Sequence, residues 1–512
     1  MADSILFNNI PGAGLVSPIF TFEVNSGGQY AQIDRFILIG HKTAAGSMAL
    51  DQPISVASQD QVDAYAGPGS QLREMYRIAA QNAPATPFWI MAIDDSALTA
   101  ATWTLTIGSF SGVGVGTFKV CGEKIQISVG AADTPTTIAA AVAAAINAYY
   151  NPLTRAMLPI TASAAAAVIT ITARNKGAIF NETDFYVDAL IQGNVFAQAG
   201  VWTLAVATAG VGTPTGVAAA LAALGDDPAD FVVCPWSDST SLGSYTAWGS
   251  DVSGRWAWSR QSYGHCWCAN LGAFSALTTL GLTMNDRHTT ILGCIAPGAR
   301  GTAHSSYLWI AGFAARVSTW LMDCVTGNVS RNQTGLVVQG LEPPRDRSVW
   351  PNYSGRNTLL SSGVSTWSVG ADGSVRVDKL ITTYRTGSSG QPDTVFRDIQ
   401  AMYQCSGGLS FLRAGLATLF GQKALANSNP GNLGAIATPA DIKAGFVSLY
   451  SQLCNQGVFQ DASTFASLLS VQINAANPDR VDVFCPLERV NPLDILAANA
   501  TIYQQYPQSL AA

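Results

Sequence analysis

Asp34, His41 and Ser47 place an acid, a base and a hydroxyl within fourteen residues, in the order Asp, His, Ser that one class of serine hydrolase uses. Ser47 lies in GSMALDQP (Gly46 to Pro53). A working triad draws its members from the ends of separate elements, so that they converge on one reacting atom. Here all three fall on one strand and its loop, and LDQP breaks the helix that should follow the serine. Triad chemistry is therefore not expected. No GxSxG elbow occurs, and no Gly-Lys pair, which removes the phosphate loop. Gly210, Gly212 and Gly216 have the spacing GxGxxxG with Pro214 inside, which reads as a flexible return to a core and not as a dinucleotide site. Asp94-Asp95 reads as a turn or helix cap, and the four histidines (His41, His265, His288, His304) are isolated in sequence. The nine cysteines contain no CxxC, and Cys266-Trp-Cys268 has the wrong spacing for a zinc knuckle. The residues predict no catalytic centre, no metal and no cofactor; reduced, mostly buried thiols are expected, as in a protein made in a cytosol.

The elements that would position such residues have an unusual composition. Hydrophobic residues make up 48% of the 512, and charged residues only 12%, against roughly 25% in average soluble domains. A surface so poor in charge must be covered by lipid or by protein. The longest apolar runs, AAAAVITI (Ala164 to Ile171) and GVAAALAALG (Gly216 to Gly225), fall short of the ~18–20 residues of a spanning helix. MADSILFNN has no basic n-region, so no secretory signal is expected. The net charge of −6, with no basic run, argues against nucleic acid as a partner. Burial against other subunits remains.

Along the chain, residues 1–30 read as an arm around one strand-like piece, Ile19 to Val24. An α/β segment follows at 31–101: the strand RFILIG (Arg35 to Gly40), a helix with Leu72, Met75, Tyr76 and Ala79 on one face, and the strand PFWIMAI (Pro87 to Ile93). Residues 102–207 read as an inserted α+β domain. The alternation resumes at 208–362 with helix Val217 to Leu224, strand FVVCPW, a polar tryptophan-bearing segment, and helices at 273–281 and 304–322 around the strand TTILGC. This predicts an α/β core with a mainly parallel sheet covered on both faces and split by the insertion.

Residues 363–494 read as a C-terminal α+β domain and 495–512 as a second arm. VGADGSVRV predicts a hairpin with a two-residue Asp372-Gly373 loop. Thr438-Pro439-Ala440-Asp441 predicts a capped helix start, and SVQINA and RVDVFCP two late strands. Two arms and edge-type strands favour a self-assembling structural protein, because an extended segment can add to a neighbour's sheet edge.

The chain resembles the tail sheath proteins of contractile bacteriophages, in their Mu-like branch. The likeness is carried by FNNIPGAGLVSPIF, RFILIGHK with its AAGS loop, YAGPGSQLREMYR, TARNKG, DFVVCPWSD, RQSYGHCW, RNTLLSSGVSTWSVGADGSVRVDKLITTYRT and NPDRVDVFCPLERVNPL. It implies a subtilisin-like core without activity. It also implies a subunit of a six-start helical sleeve of stacked hexameric rings around a tail tube, which contracts to drive the tube through the host envelope. The implied partners are other copies of the chain, the tube protein, and the baseplate and tail terminator proteins, with no membrane insertion. The implied location is the virion tail, assembled in the host bacterial cytoplasm.

By the same resemblance the arms, through Phe7, Ile10, Pro11, Ile19, Phe20, Phe22, Ile502, Tyr503 and Tyr506, pair with strands of neighbouring subunits. Candidate receiving strands are the hairpin at Val369, Asp372, Gly373, Val375 and Val377, or the stretch with Val481 and Val483. Arg397, Arg413, Lys423 and Lys443 are candidates to face the tube, and the inserted domain is expected to face outward. The alternatives are the sheath of a related contractile injection particle, or a ligand-binding α/β hydrolase-like protein.

Overall fold

The computed structural model describes residues 35–502, apart from Pro297 and Ala299, together with Gln504. The arm residues Phe7, Ile10, Pro11, Ile19, Phe20, Phe22, Tyr503 and Tyr506, and Asp34 of the rejected triad, lie outside the described residues.

β1 (Phe36–Gly40) is buried at every position, the pattern required of a strand covered on both faces. β2 (Ile54–Val56), α1 (Gln59–Ala66) and α2 (Gln71–Asn82) lead to β3 (Phe88–Ala92), which pairs parallel to β1. Ser70 starts α2 by accepting from the Arg73 N–H, one of the donors a helix start leaves unpaired.

Next come β4 (Thr102–Ile107), β5 (Gly114–Val120), β6 (Glu123–Val129), α3 (Pro135–Asn147), β7 (Ile160–Ala165), β8 (Val168–Ala173), β9 (Phe185–Tyr186) and β10 (Trp202–Thr208). They form two sheets of their own, β10-β4-β8-β7 and β6-β5-β9. β7 has no counterpart in the sequence reading. ITASAA is rich in alanine and lacks strand propensity, yet it pairs along all of β8 through a turn with Ala166 at φ 52°.

The chain then returns to the first sheet through α4 (Val217–Ala223), β11 (Phe231–Val233), α5 (Ser239–Gly249), β12 (His265–Leu271), α6 (Phe274–Thr283), β13 (Thr289–Cys294) and α7 (Ser306–Leu321). The sheet order is β13-β12-β11-β1-β3-β2, parallel except for β2. α5 lies in the segment read only as polar and tryptophan-bearing. Asp238 caps it, and Leu242, Tyr245 and Trp248 bury one side. Across the sheet Trp267, Phe231 and Phe36 stack in a row, with centroids 5.6 and 5.3 Å apart.

The remaining elements are α8 (Tyr353–Ser361), β14 (Thr366–Val369), β15 (Val375–Lys379), α9 (Ile399–Phe420), β16 (Ala424–Leu425), β17 (Ile436–Ala437), α10 (Pro439–Asn455), α11 (Ala462–Leu468), β18 (Ser470–Ile473) and β19 (Val481–Phe484). α9 is one continuous helix. Its Gly407 and Gly408 sit where a Cβ would come within 2.5 Å of Cys324 and Phe459, so close approach selects the glycines, with no break in the helix. α10 opens with the expected capping box: Thr438 and Asp441 each accept from the other's backbone N–H. The β14–β15 loop differs from the two-residue form. The Gly370 N–H donates to Ser374 and the Gly373 N–H to Gly370, enclosing Ala371-Asp372-Gly373 with Gly373 at φ 79°. A type I′ turn needs positive φ at both central residues, and Asp372 does not adopt it.

Candidate assembly interface

Backbone parity decides which strands can receive another. In an antiparallel pair, successive residues alternately turn their N–H and C=O toward the partner and away from it. In the first hairpin, Val375 and Val377 turn away from β14, and residues 335–338 of the same chain already meet them. The Val338 and Gly335 N–H groups donate to Val375 and Val377, and the Val377 N–H donates to Leu336. Trp367, Val375 and Val377 are buried. Trp367 and Val369, on the outer side of β14, have no outward backbone partner among the described residues.

The second hairpin is different. The Asn474 N–H donates to Arg480, which makes Gln472–Asp482 and Ser470–Phe484 the bonded pairs. Val481 and Val483 therefore point their backbone groups outward, with no backbone partner among the described residues. Val471 and Val483 pack partly on the core, while Phe484 is 65% exposed. Asp482 accepts from Asn474 and Arg480, contacts that hold its carboxyl below its ordinary value. The turn is thereby braced while both long edges stay open.

Beside this hairpin the chain end is pinned and then released. Gln404 donates to Val490, the Glu488 N–H to Tyr450, and Asn332 to Leu493. Lys379 bridges Asp398 and Asp494. Burial pushes the Asp398 carboxyl up, but Lys379, Arg397 and Arg489 outweigh it and hold it below its ordinary value. Beyond Asp494 the described chain has no regular structure, and Ile495, Leu496 and Ile502 are 79%, 79% and 96% exposed. The sequence reading missed these anchors, because Asn332 and Gln404 have no local signal that would join them to residues so far along the chain.

The four tube-facing candidates do not form one patch. Gly415 lies against Leu449 and Gly445 against Phe420, so α9 and α10 run antiparallel and bring Lys423 and Lys443 to the same end. Arg413 is exposed midway and donates to Gln261. Arg397 is engaged with Asp398 before α9 begins.

The groups considered for catalysis are used structurally. Ser47 donates to Ala64. His41 is buried, and its Nδ1–H donates to the Ile93 carbonyl, which can only accept. Burial lowers its pKa. Asp94 accepts from Ser96, and Asp95 from the Lys176 N–H. Gly210 is tied in both directions to Asn181, so the expected flexible return is a pinned one. The crevice where an open α/β sheet binds ligands lies at the strand ends where the order reverses. Between β1 and β11 it is filled by His41, Trp236 and Phe180, all buried. The nine thiols are unbridged, and burial pushes Cys121 and Cys234 up to about 12. Among the described residues no cluster of three His, Cys, Asp or Glu could hold a metal, and no helix is long and apolar enough to cross a membrane.

No protein-family model matches the chain. Over 504 residues it is 28% identical to the Mu-like prophage FluMu tail sheath protein of Haemophilus influenzae, covering 96% of this chain and 98% of that one. Solved structures similar to it include sheath tail proteins of Desulfitobacterium hafniense (13% identity, 92% of this chain and 97% of that one, TM-score 0.48) and Listeria innocua (13%, 90% and 93%, 0.47). The helical sheath of the anti-feeding prophage in its contracted state also matches (9%, 96% and 99%, 0.46).

Proposed function

We propose that this chain, a relative of a Mu-like prophage tail sheath protein over nearly its whole length, is the structural subunit of a contractile tail sheath. It is not an enzyme; the relative is itself a tail sheath protein. The observation that carries the assembly reading is the open β19 edge, Val481 and Val483, beside a chain end that leaves Ile495, Leu496 and Ile502 uncovered. A strand from a neighbour would gain main-chain hydrogen bonds along that edge. Because edge and tail are different surfaces of one subunit, the contact is heterologous and propagates into a ring or helix.

In this reading β18–β19 receives an arm, and the outer side of β14, through Val369, is a second and shorter landing place. Val375 and Val377 act from inside the subunit, with Asp372 and Gly373 shaping the loop between the strands. The sheet of β1, β3 and β11–β13 corresponds to the core that the family resemblance describes as subtilisin-like. Copies form a sleeve of stacked hexameric rings around a tail tube and contract to drive it through the host envelope. Lys423, Lys443 and Arg413 are the cations left for the tube, with baseplate and terminator proteins at the ends of the sleeve. The sleeve is part of the virion tail and is assembled in the host cytoplasm.

Negative-stain electron microscopy of the full chain, beside versions lacking residues 1–20 or 495–512, tests this. Hollow tubes from the full chain, lost on either truncation, are expected. Monodisperse monomers from all three would overturn it.

A further inference from the structure

Two features at opposite ends of the central sheet are not used by the arm contacts proposed above. Before β12, residues 250–262 form a loop built on Arg255, which is 0% exposed. Its guanidinium donates to the carbonyls of Tyr263 (2.5 Å), Gly225 (2.6 Å), Asp227 (2.6 Å) and Ser262 (3.0 Å). The Trp256 indole N–H donates to Gly264, and Arg260 to Asp226. A loop held at so many points is rigid, yet it leaves Trp258 83% and Val252 85% exposed. A fixed, solvated tryptophan is a preorganised anchor: little ordering cost remains on docking, and tryptophan is among the side chains that dominate interfaces.

Beyond the other end of β12 lies a groove of about 660 Å³ between β13, α6 and α8. Phe274, Leu277, Ile295, Trp350, Leu359 and Trp367 line it, and no charged side chain is among its lining residues. The ion pairs beside the loop, Arg260–Asp226 and Arg287–Asp251, are closed within the chain, so the Trp258 knob presents no unpaired charge to an uncharged cavity. The knob precedes β12 and the groove follows it; the strand's seven residues separate them by roughly 23 Å at about 3.3 Å per residue. Neither can satisfy the other within one subunit.

We propose that Trp258 of one subunit seats in this groove of the next copy, a head-to-tail contact along the direction of the central strands. Repetition of such a contact gives an open stack. It is a rigid contact, distinct from the arm pairing, and it relies on the sheath reading only in requiring a second copy.

The test uses full-length chains. Ser259→Cys, beside the intact Trp258, and Thr358→Cys are made separately, mixed, and treated with a short bis-maleimide; Ser259 is exposed and Thr358 is an exposed residue of the groove wall. Mass spectrometry should find the 259–358 cross-link between chains. Trp258→Ala and Thr358→Arg, both at exposed positions, should leave the melting curve unchanged and raise the concentration needed for assembly at least about ten-fold. The cross-link without tubes would uphold the contact and count against the sheath. Tubes without the cross-link, formed equally by Trp258→Ala, would overturn the contact and leave the sheath standing. Residue 358 cross-linked only to other positions would also overturn it, by giving the groove a different occupant.

Discussion

The two C-terminal hairpins have similar strands and opposite fates. In β14–β15, Trp367, Val375 and Val377 face the core, and residues 335–338 close the outer side of β15. In β18–β19 the valines are only half covered, and no backbone of the described residues pairs with either outer edge. A two-stranded ribbon is marginal by itself, and an open edge is usually blunted or covered. The difference is therefore between a hairpin finished within its own subunit and one that a neighbour must complete.

The largest expected effect lies in the finished hairpin. Trp367 is 1% exposed, its indole N–H donates to Gly293 at 3.1 Å, and its ring packs on Trp309. Trp367→Ala should cost about 3–5 kcal/mol of folding stability, read by chemical denaturation. Retention of wild-type stability would show that this hairpin is not part of the core.

A matched pair of prolines sharpens the comparison. The Val377 N–H donates to Leu336 at 2.9 Å, so Val377→Pro removes that bond from a buried strand position and should cost roughly 2–4 kcal/mol. The Val483 N–H points away from β18, where proline is tolerated. Val483→Pro should therefore change stability by less than about 1 kcal/mol yet abolish tube formation in electron micrographs. Equal destabilisation by the two substitutions would remove the distinction between a closed edge and an open one.

How much of this was legible depended on distance along the chain. β1, β3 and β13 read directly from FILIG, FWIMA and TTILGC, because buried parallel strands are unbroken apolar runs. The Thr438 cap read from four residues. Which hairpin is closed did not read, since the covering segment, Gly335-Leu336-Val337-Val338, is apolar but too short to read as a strand and lies well upstream of the hairpin. The outward parity of Val481 and Val483 depends on the Asn474–Arg480 closure, and a shift of one residue would reverse it. Among the candidate residues, the four cations lie on or near helices of the C-terminal region. The fold then separated them, because antiparallel packing of α9 and α10 joins Lys423 to Lys443 and leaves Arg397 in the Asp398 cluster.

The smallest effect concerns the anchor that joins the two hairpin regions. Lys379, at the end of β15, pairs with Asp398 at 3.0 Å and also with Asp494 at the base of the tail. Because the folded Asp398 pKa is depressed, its stabilisation is fully present above the unfolded value of about 3.9 and is lost as pH falls through the folded value. Thermal melts of the full chain should therefore show a decline on acidification below about pH 4. Asp398→Asn should be less stable at neutral pH, where Lys379, Arg397 and Arg489 lose their shared counter-charge, and its acid decline should be shallower. Limited proteolysis should then cut after Leu493 sooner in the variant than in the wild type. Tail release at an unchanged rate would mean that Gln404 and Asn332 hold the chain end by themselves, and that the ion cluster serves the start of α9 instead.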